Sequence, residues 1–413
     1  MKKSSKLLPV ALFASLKYLQ DPFSENGLVY LSKVHHKAKD NAELVKQFLK
    51  LYVHSEDTFN SYRRDIERYC HWCWLIRGIS VEESKRDDLI AYLDFVKSPD
   101  KNWISIKASP RFTLQEGLMQ PNPDWRPFVL RLSKIDQKQN KTPRLQDYQC
   151  NPPMLRAVFS VLGSFFHFLL EETRITANPV AQIRQKKQYL GQTQKKRITR
   201  KLSKEQWFWM IRCIEEKTQQ DPRFERHLFI LSLFYLLGLR ISEVAETPGR
   251  IPNMGHFFRD HQSCVWFETT GKGNKTREIA VPDSLVDGLA RFRKHLGLGT
   301  SFPLRNESTP LIPKQKGKGG LGIRQVRICV QTCFDLAIES LKKQSLHEQA
   351  QDLMTATVHW LRHTAITHDV QSRPREHVRD DAGHESSQTT DLYIEDDRRA
   401  RHASAKDKKL IDS

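Results

Sequence analysis

The sequence predicts a mainly α-helical protein with a small antiparallel β-sheet, organised as two domains. Its 413 residues exceed the size of one typical domain. Apolar residues recur every three or four positions in most segments, as they do in amphipathic helices. Two β-rich stretches, 264–269 and 277–282, flank a Gly/Asn-rich turn, which predicts one hairpin. A basic stretch with almost no core-forming residues, 182–200, predicts the linker between the domains.

The first half of the chain is predicted to contain an N-terminal arm and a helical domain. The arm, 1–40, carries few structural signals, and the sequence does not decide whether it docks on a polyanion or on a partner subunit. The domain covers 41–181, and its apolar spacing predicts four helices. These helices cover 42–51, 55–73, 87–95 and 154–170. Between the last two, residues 98–150 contain several prolines and little periodicity, which predicts an insertion or a long loop.

The composition indicates a polyanionic partner. The chain has 67 Lys and Arg against 48 Asp and Glu, a formal net charge of +19, and nucleic acid is the partner that suits such a surface best. Generic solubility is the plainer alternative, because net charge does not specify a fold. The seven cysteines are odd in number and scattered, so they do not predict a disulfide framework, and we expect a reducing compartment.

The beginning of the chain imitates a short secretory signal, with Lys2 and Lys3 before an apolar stretch at 7–16. We nevertheless expect a cytoplasmic protein that is associated with the nucleoid when it is bound to DNA, because the basic composition fits that partner. No apolar run reaches the roughly 18 to 20 residues that span a bilayer, and the longest, 228–239, predicts a buried helix. We therefore expect no membrane partner.

Three motifs imitate ligand sites and are set aside. Cys70 and Cys73 have the spacing of metal ligands, but no second pair accompanies them, so they are interpreted as packed helix residues. Residues 317–322 satisfy G-x-G-x-x-G, but no predicted strand precedes them. The histidines of 359–368 lack the glutamate of an H-E-x-x-H metalloprotease motif. We predict no metal and no other cofactor.

A set of cationic, histidine and tyrosine side chains in the second domain, 201–413, suits chemistry on a phosphodiester. His359 and Arg362 are three residues apart, so they share one helix face that can hold a phosphate. Arg240 ends an apolar run, and Tyr393, nine residues beyond His384, offers a phenol as nucleophile. The candidate catalytic residues are Arg240, Lys272, His359, Arg362, His384 and Tyr393.

Basic residues in three places are candidate DNA contacts, because each phosphate that they neutralise releases counterions. One set lies on the polar face of the helix predicted at 55–73, where a solvated face is the plainer interpretation. The others lie in the linker and at the hairpin turn. The candidates are Arg63, Arg64 and Arg68, then Lys195, Lys196, Arg197 and Arg200, and Lys275.

Four sequence boxes, taken in order, resemble the tyrosine recombinase, or phage integrase, family. They are 238–243, 271–275, 359–364, and Gly383-His384 with Tyr393. The resemblance covers 201 to about 400, and 41 to about 180 is similar to the family's helical core-binding domain. It implies the DNA breaking-rejoining enzyme fold, with a core-binding and a catalytic domain that form a two-domain clamp around duplex DNA.

The resemblance implies that Tyr393 attacks the scissile phosphate, forms a 3′-phosphotyrosyl bond and releases a 5′ hydroxyl. Because the covalent bond stores the energy for rejoining, the reaction needs neither ATP nor a metal. Lys272 would protonate the leaving oxygen, and Lys275 is the alternative acid at the same turn. His359 would assist deprotonation of Tyr393.

The resemblance assigns the remaining residues to the phosphate. Arg240 and Arg362 would hold its non-bridging oxygens, and His384 would donate a hydrogen bond to it. Glu243 would orient an arginine, although an exposed helix glutamate is an equally good interpretation. Two departures stand out: Asp380-Asp381-Ala382 replaces an apolar pair, and the segment 367–384 is rewritten around 372–375. Neither removes a catalytic residue, so we expect an active enzyme.

The resulting prediction is a site-specific recombinase or integrase that integrates or excises a mobile element. Recombination of two duplexes needs four cleavages, so we expect a homotetramer on paired, specific sites in double-stranded DNA. The charged tail at 396–409 corresponds to a family segment that docks on a neighbouring subunit. An accessory DNA-bending protein is a further candidate partner. Two alternatives stay open: DNA relaxation of the type IB topoisomerase kind, and a sequence-specific DNA-binding protein that does not cut.

Overall fold

The structure is a computed structural model and describes residues 7–115, 118–184, 188–189, 200–271 and 274–384. The chain forms two compact units, Met1–Lys196 and Arg197–Ser413. The division between the units falls inside the segment that the sequence predicts as a linker.

Helices form most of the first unit. Their bounds are α1 (Glu25–Val34), α2 (Ala38–Lys50), α3 (Glu56–Trp72, extended by a π-helical turn at Cys73–Arg77), α4 (Arg86–Lys97), α5 (Lys134–Lys138) and α6 (Pro152–Glu171). Local sequence explains several starts, because the side chains of Ser24, Ser55 and Asn151 accept hydrogen bonds from first-turn amides. The helix predicted from Ser55 is confirmed.

The segment 98–150 is folded, so its prediction as a long loop is wrong. It contains α5 and two small sheets. Strand β1 (Ile104–Ser105) pairs in parallel with β4 (Phe128–Val129), and β2 (Phe112–Gln115) pairs antiparallel with β3 (Leu118–Pro121). Trp103 and Phe128 from this segment are buried in the core of the first unit. Contacts with distant residues of this core stabilise the segment, although its own sequence shows little hydrophobic periodicity.

The residues predicted as an N-terminal arm are also part of this core. Leu12 and Phe13 are buried, and their backbone amides donate to Glu67 Oε1 at 2.8 and 3.3 Å. Tyr30 and Leu31 of α1 are buried as well. The expectation that these residues form an arm that docks on a polyanion or a partner subunit is therefore wrong. Their apolar side chains pack in the same core as those of α3.

The arginines on α3 mostly form hydrogen bonds and ion pairs within the protein. Arg68 is buried: its Nη1 donates to Asp65 Oδ1 at 2.9 Å, and its Nε donates to a backbone carbonyl at 2.7 Å. Arg63 donates to a carbonyl of the N-terminal segment at 2.6 Å. Arg64 pairs with Asp65 at 2.9 Å and keeps 44% of its side chain exposed. The prediction that Arg68 faces DNA is wrong, because that guanidinium neutralises a buried carboxylate.

α6 is a central helix of the first core. The Phe165 ring lies 5.2 Å from that of Phe48, and the Phe166 ring lies 5.8 Å from that of Tyr69, measured between centroids. In the described part of the chain, α6 alone is long and apolar enough to cross a membrane by length and composition, whereas no run of that length was predicted and 228–239 was expected to be the longest. Its contacts in the core account for that composition.

Cys70 and Cys73 pack as buried residues at the end of α3 and in the turn after it, as predicted. Burial raises the pKa of both thiols, that of Cys73 to about 12. Among the described residues, no group of His, Cys, Asp and Glu could hold a metal ion.

The second unit is built from helices around one three-stranded sheet. The helices are α7 (Lys204–Gln220), α8 (Glu225–Leu236), α9 (Ile241–Val244), α10 (Asp283–His295), α11 (Ile323–Lys343), α12 (His347–Met354), α13 (Val358–Asp369) and α14 (Arg375–Ala382). Ser203 caps α7: its Oγ accepts the amide of Gln206 at 3.1 Å. The apolar helix α8 contacts α7, α10, α11 and α13 and lies in the second core.

The sheet confirms the predicted hairpin and adds a strand. β5 (Phe257–Arg259), β6 (Val265–Thr270) and β7 (Thr276–Ala280) are antiparallel in the order β5-β6-β7. The sequence predicts the two strands of the hairpin and no strand at β5, because a strand of three residues is too short for a period of two to be visible. At the hairpin turn, Gly271 N donates to Lys275 O at 2.8 Å.

Candidate active site

α13 carries His359 and Arg362 at the spacing that places them on one face. Arg362 is only 4% exposed. Its Nη1 donates to Gly238 O, its Nη2 donates to Ala382 O at 2.6 Å, and its Nη2 lies 3.5 Å from His384 Nε2. One buried guanidinium thus connects the turn after α8 to the end of α14.

The turn between α8 and α9 presents Arg240. Gly238 has a φ of 57°, a conformation that glycine adopts without steric cost, and it redirects the chain after the apolar helix. Arg240 is then the N-cap of α9, and its backbone amide donates to Glu243 Oε2 at 2.7 Å. Its side chain is 31% exposed, so the guanidinium remains accessible to a ligand.

Glu243 is fully buried between two arginines. Arg277 Nη1 and Nη2 donate to its two oxygens at 2.7 and 2.9 Å, and Arg240 Nη1 donates to Oε1 at 3.1 Å. Burial alone would raise the pKa of this carboxyl, but Arg277 and Arg240 hold it below its usual value. Glu243 therefore orients arginines, and the alternative of an exposed helix glutamate is wrong.

Three successive carbonyls at the end of α14 each accept a hydrogen bond from a different arginine. The last carbonyls of a helix have no partner within the helix and carry its negative partial charge. The negative partial charge at this helix end therefore offsets the repulsion between the three guanidinium groups, and the hydrogen bonds to its carbonyls orient them. The pairs are Arg277 Nε with Asp381 O (2.8 Å), Arg362 Nη2 with Ala382 O (2.6 Å) and Arg240 Nη2 with Gly383 O (3.3 Å).

Histidines line the same cluster. Burial, followed by the nearby arginines, lowers the pKa of His384 to about 4, and the same causes lower the pKa of His359. The ring of His363 stands edge-on to that of His359 with centroids 4.3 Å apart, and burial with the His359 and Arg200 charges lowers its pKa to about 4. Imidazoles that are neutral near pH 7 can accept a proton, as a general base must.

The remaining predicted site residues divide into those that the structure describes and those that it does not. Arg200 is exposed, and its charge contributes to the lowered pKa of His359 and His363. Lys275 is exposed at the hairpin turn. The predictions that fall outside the described residues are Lys272, Tyr393, Lys195, Lys196 and Arg197.

Sequence reasoning missed Arg277. Arg277 lies on β7 two residues before the buried Ile279, and side chains two apart on a strand point to the same face. A charged residue at a core-facing position of the predicted hairpin was the signal that could have identified it.

The two segments that depart from the family pattern, Asp380-Asp381-Ala382 and the stretch around 372–375, contact each other. Arg373 donates to the Asp381 carboxylate, and its Nη1 donates to Asp369 Oδ2 at 3.1 Å. The acidic residue that replaces an apolar one before Gly383 is therefore neutralised by an arginine of the rewritten segment. These ion pairs connect the end of α13 to the end of α14, where the arginine cluster binds.

The stability of the second unit is expected to fall as the pH drops from about 6.5 towards 4. His363 and His384 have a pKa lowered from 6.5 to about 4, so the unfolded chain binds protons that the folded unit does not. Asp369, whose pKa burial raises to about 6, acts with the opposite sign between about pH 6 and 4.

Thermal unfolding at about pH 7, 6 and 5 checks this for the parent and for the double variant His363→Gln, His384→Gln. The double variant should show a flatter decline, whereas replacement of the exposed His261 by Gln should leave the parent's decline unchanged. An equally steep decline in the double variant would contradict the prediction.

Comparison with known proteins identifies the second unit. Residues 201–399 match the phage integrase family. Tyrosine recombinase XerC 1 of Ralstonia nicotianae is 28% identical over 249 residues, 58% of this chain and 67% of that protein. Tyrosine recombinase XerC of Neisseria gonorrhoeae is 25% identical over 228 residues, 55% of this chain and 63% of that protein. The chain thus spans about two thirds of the length of these relatives.

Solved structures share the fold over most of the chain. The XerH site-specific recombinase bound to a palindromic difH substrate matches 90% of this chain and 86% of its own, with a TM-score of 0.53 at 14% identity. The Tn1549 transposon integrase in complex with a circular intermediate DNA matches 88% and 99%, with a TM-score of 0.50 at 15% identity. The mainly helical fold is thus one that these solved recombinase structures share, and the second unit, through residues 201–399, matches the phage integrase family.

Proposed function

We propose that this protein is a site-specific recombinase or integrase that cleaves and rejoins DNA strands through a 3′-phosphotyrosyl intermediate. The observation that carries the proposal is the alignment of Arg240 and Arg362 on the end of α14, with His384 3.5 Å from Arg362. Two adjacent guanidinium groups match the non-bridging oxygens of a phosphodiester and stabilise the charge that grows on them in the transition state.

In the proposed reaction, the Tyr393 oxygen forms a bond to the scissile phosphorus while the bond from phosphorus to the 5′ oxygen breaks. His359 accepts the phenol proton, and Lys272, or Lys275 in its place, gives a proton to the leaving 5′ oxygen. Rejoining is the reverse: a 5′ hydroxyl attacks the phosphotyrosyl bond and releases the tyrosine. The number of phosphate ester bonds is unchanged, so neither ATP nor a metal ion is needed.

The proposed setting is the cytoplasm, where a homotetramer assembles on paired recombination sites in double-stranded DNA and integrates or excises a mobile element. The formal net charge of +19 supports a DNA partner. XerH and the Tn1549 integrase, which share the fold, were solved in complex with DNA. The long folded segment at 98–150 favours an element-borne enzyme over a compact resolvase.

A suicide substrate tests the proposal. Nicked duplexes made from the sequences that flank the gene are incubated with the protein in EDTA, and the products are separated on a denaturing gel beside those of Tyr393→Phe. We expect a DNA-linked protein band from the parent and none from Tyr393→Phe, because only the phenol oxygen can form the ester. His261→Gln, an exposed substitution in the same unit, is the control and should give the parent's band.

Three other outcomes would contradict the proposal. A band of equal strength from Tyr393→Phe would exclude this nucleophile. Specific binding without a band would indicate a DNA-binding protein that does not cut. Relaxation of supercoiled plasmids of any sequence would indicate activity of the type IB topoisomerase kind.

A further inference from the structure

Arg277 is a third arginine at the site, and its donors point into the protein. Nη1 and Nη2 donate to the two oxygens of the buried Glu243, and Nε donates to Asp381 O. Its side chain is 12% exposed. All three of its donor nitrogens bind partners within the protein, so we assign Arg277 a role other than that of a phosphate ligand.

Two glycines bring backbone close to Arg277. A Cβ at Gly383 would lie 3.0 Å from Arg277 Cδ, and Gly383 also has a φ of 62°. A Cβ at Gly271 would lie 3.0 Å from Glu243 Oε1 and 3.1 Å from Arg277 Nη1. The hairpin on one side and the end of α14 on the other therefore lie close against the arginine, and a side chain at either glycine would require its neighbours to shift.

We infer that Arg277 is a positioning residue that fixes Arg240 and His384 relative to each other. Glu243 binds Arg277 and Arg240 together, so Arg277 holds the carboxylate that orients Arg240. The carbonyl that accepts Arg277 Nε precedes Ala382 and Gly383, so the same side chain holds the backbone that leads into His384. The inference rests on the proposed function, because these positions matter only if a phosphate binds between them.

Arginine is required in this role by its geometry. Its planar fork binds both carboxylate oxygens while the Nε–H points in another direction, towards the carbonyl. A lysine keeps the charge beside Glu243, but one ammonium cannot reach both partners in this way. Arg277→Lys therefore tests positioning while it avoids leaving Glu243 as an uncompensated buried charge.

The experiment measures three quantities for the parent and Arg277→Lys: single-turnover cleavage of the suicide substrate, DNA affinity, and thermal unfolding. We expect cleavage to fall by about 10- to 100-fold, as for other residues that orient ligands, while affinity and unfolding temperature stay near those of the parent. Arg305→Lys is the matched control, because Arg305 pairs with Glu268 of the same sheet at 3.3 Å on an exposed surface.

A second variant leaves every charge in place. Gly271→Ala puts a methyl group among Arg240, Glu243 and Arg277, and we expect it to slow cleavage with little effect on DNA affinity. Gly288→Ala is its control, since a Cβ there meets no atom within 4 Å. This pair keeps the inference testable even if Arg277→Lys lowers the unfolding temperature.

A double-mutant cycle separates positioning from general support of the fold. If Arg277 acts partly through Arg240, Arg277→Lys should slow cleavage by a smaller factor in an Arg240→Ala background than in the parent, because the effects of coupled residues do not multiply. An undiminished effect in that background would overturn the inference, as would unchanged cleavage by Arg277→Lys in the parent. Failure of the parent itself to form an adduct would instead count against the proposed function.

Discussion

Replacement of Arg362 by alanine is expected to lower the rate of strand cleavage by about 10²- to 10³-fold, the usual cost of one lost donor to transition-state charge. The buried guanidinium also supplies the donors for Gly238 O and Ala382 O. Their loss leaves carbonyls unpaired inside the protein, at a cost of about 1–3 kcal/mol each in the free energy of unfolding. Arg362→Lys should be nearly as harmful to cleavage, since an ammonium cannot bind both carbonyls and a phosphate.

Single-turnover cleavage of the suicide substrate, with unfolding measured in parallel, checks this prediction. Arg379→Ala is the control: Arg379 lies on α14, close to the same helix end, but its side chain is 36% exposed and forms its ion pair with the neighbouring Asp380. The prediction fails if both variants lose activity equally, or if Arg362→Ala cleaves at a rate near that of the parent.

Glu67→Ala is expected to destabilise the first unit by about 3–5 kcal/mol, the cost of breaking a buried ion pair. Glu67 is fully buried, and its Oε1 accepts Arg111 Nη2 at 2.6 Å as well as the amides of Leu12 and Phe13. Although burial raises the pKa of this carboxyl, Arg111 holds it below its usual value of 4.5. The ion pair therefore stabilises the fold fully above about pH 4.5, and its contribution is lost as the pH falls.

Urea unfolding near pH 7, followed by circular dichroism, measures the change. Glu171→Ala is the control, because Glu171 lies on α6 with its carboxylate exposed and, among the described residues, pairs with His167. Surface changes of this kind alter the free energy of unfolding by about 0.5 kcal/mol or less. A loss below about 1 kcal/mol for Glu67→Ala would show that the N-terminal segment does not depend on this carboxylate.

Local sequence predicted those parts of the fold and the site that depend on near neighbours. The helix predicted over 55–73 begins at Ser55, whose side chain caps it, and His359 and Arg362 share a face because they are three residues apart. The hairpin was likewise visible from its turn residues.

Contacts between residues far apart in the chain were not predictable in this way. Arg277 and Asp381 are separated by 104 positions, and no periodicity reveals such a pair. Arg68 looked like part of a solvated face, because the sequence shows that a residue is polar but not that a buried carboxylate needs it. β5 and the sheets within 98–150 are too short for a pattern to emerge.

The burial of the N-terminal segment has a consequence for the order of folding. Leu12 and Phe13 bind a carboxylate 55 and 54 positions later, and that carboxylate needs an arginine another 44 positions along the chain. Loop-closure entropy makes such distant contacts slow to form. Residues 11–13 are synthesised before the rest of the core that covers them. They are therefore expected to be among the last residues of the first unit to acquire their native contacts.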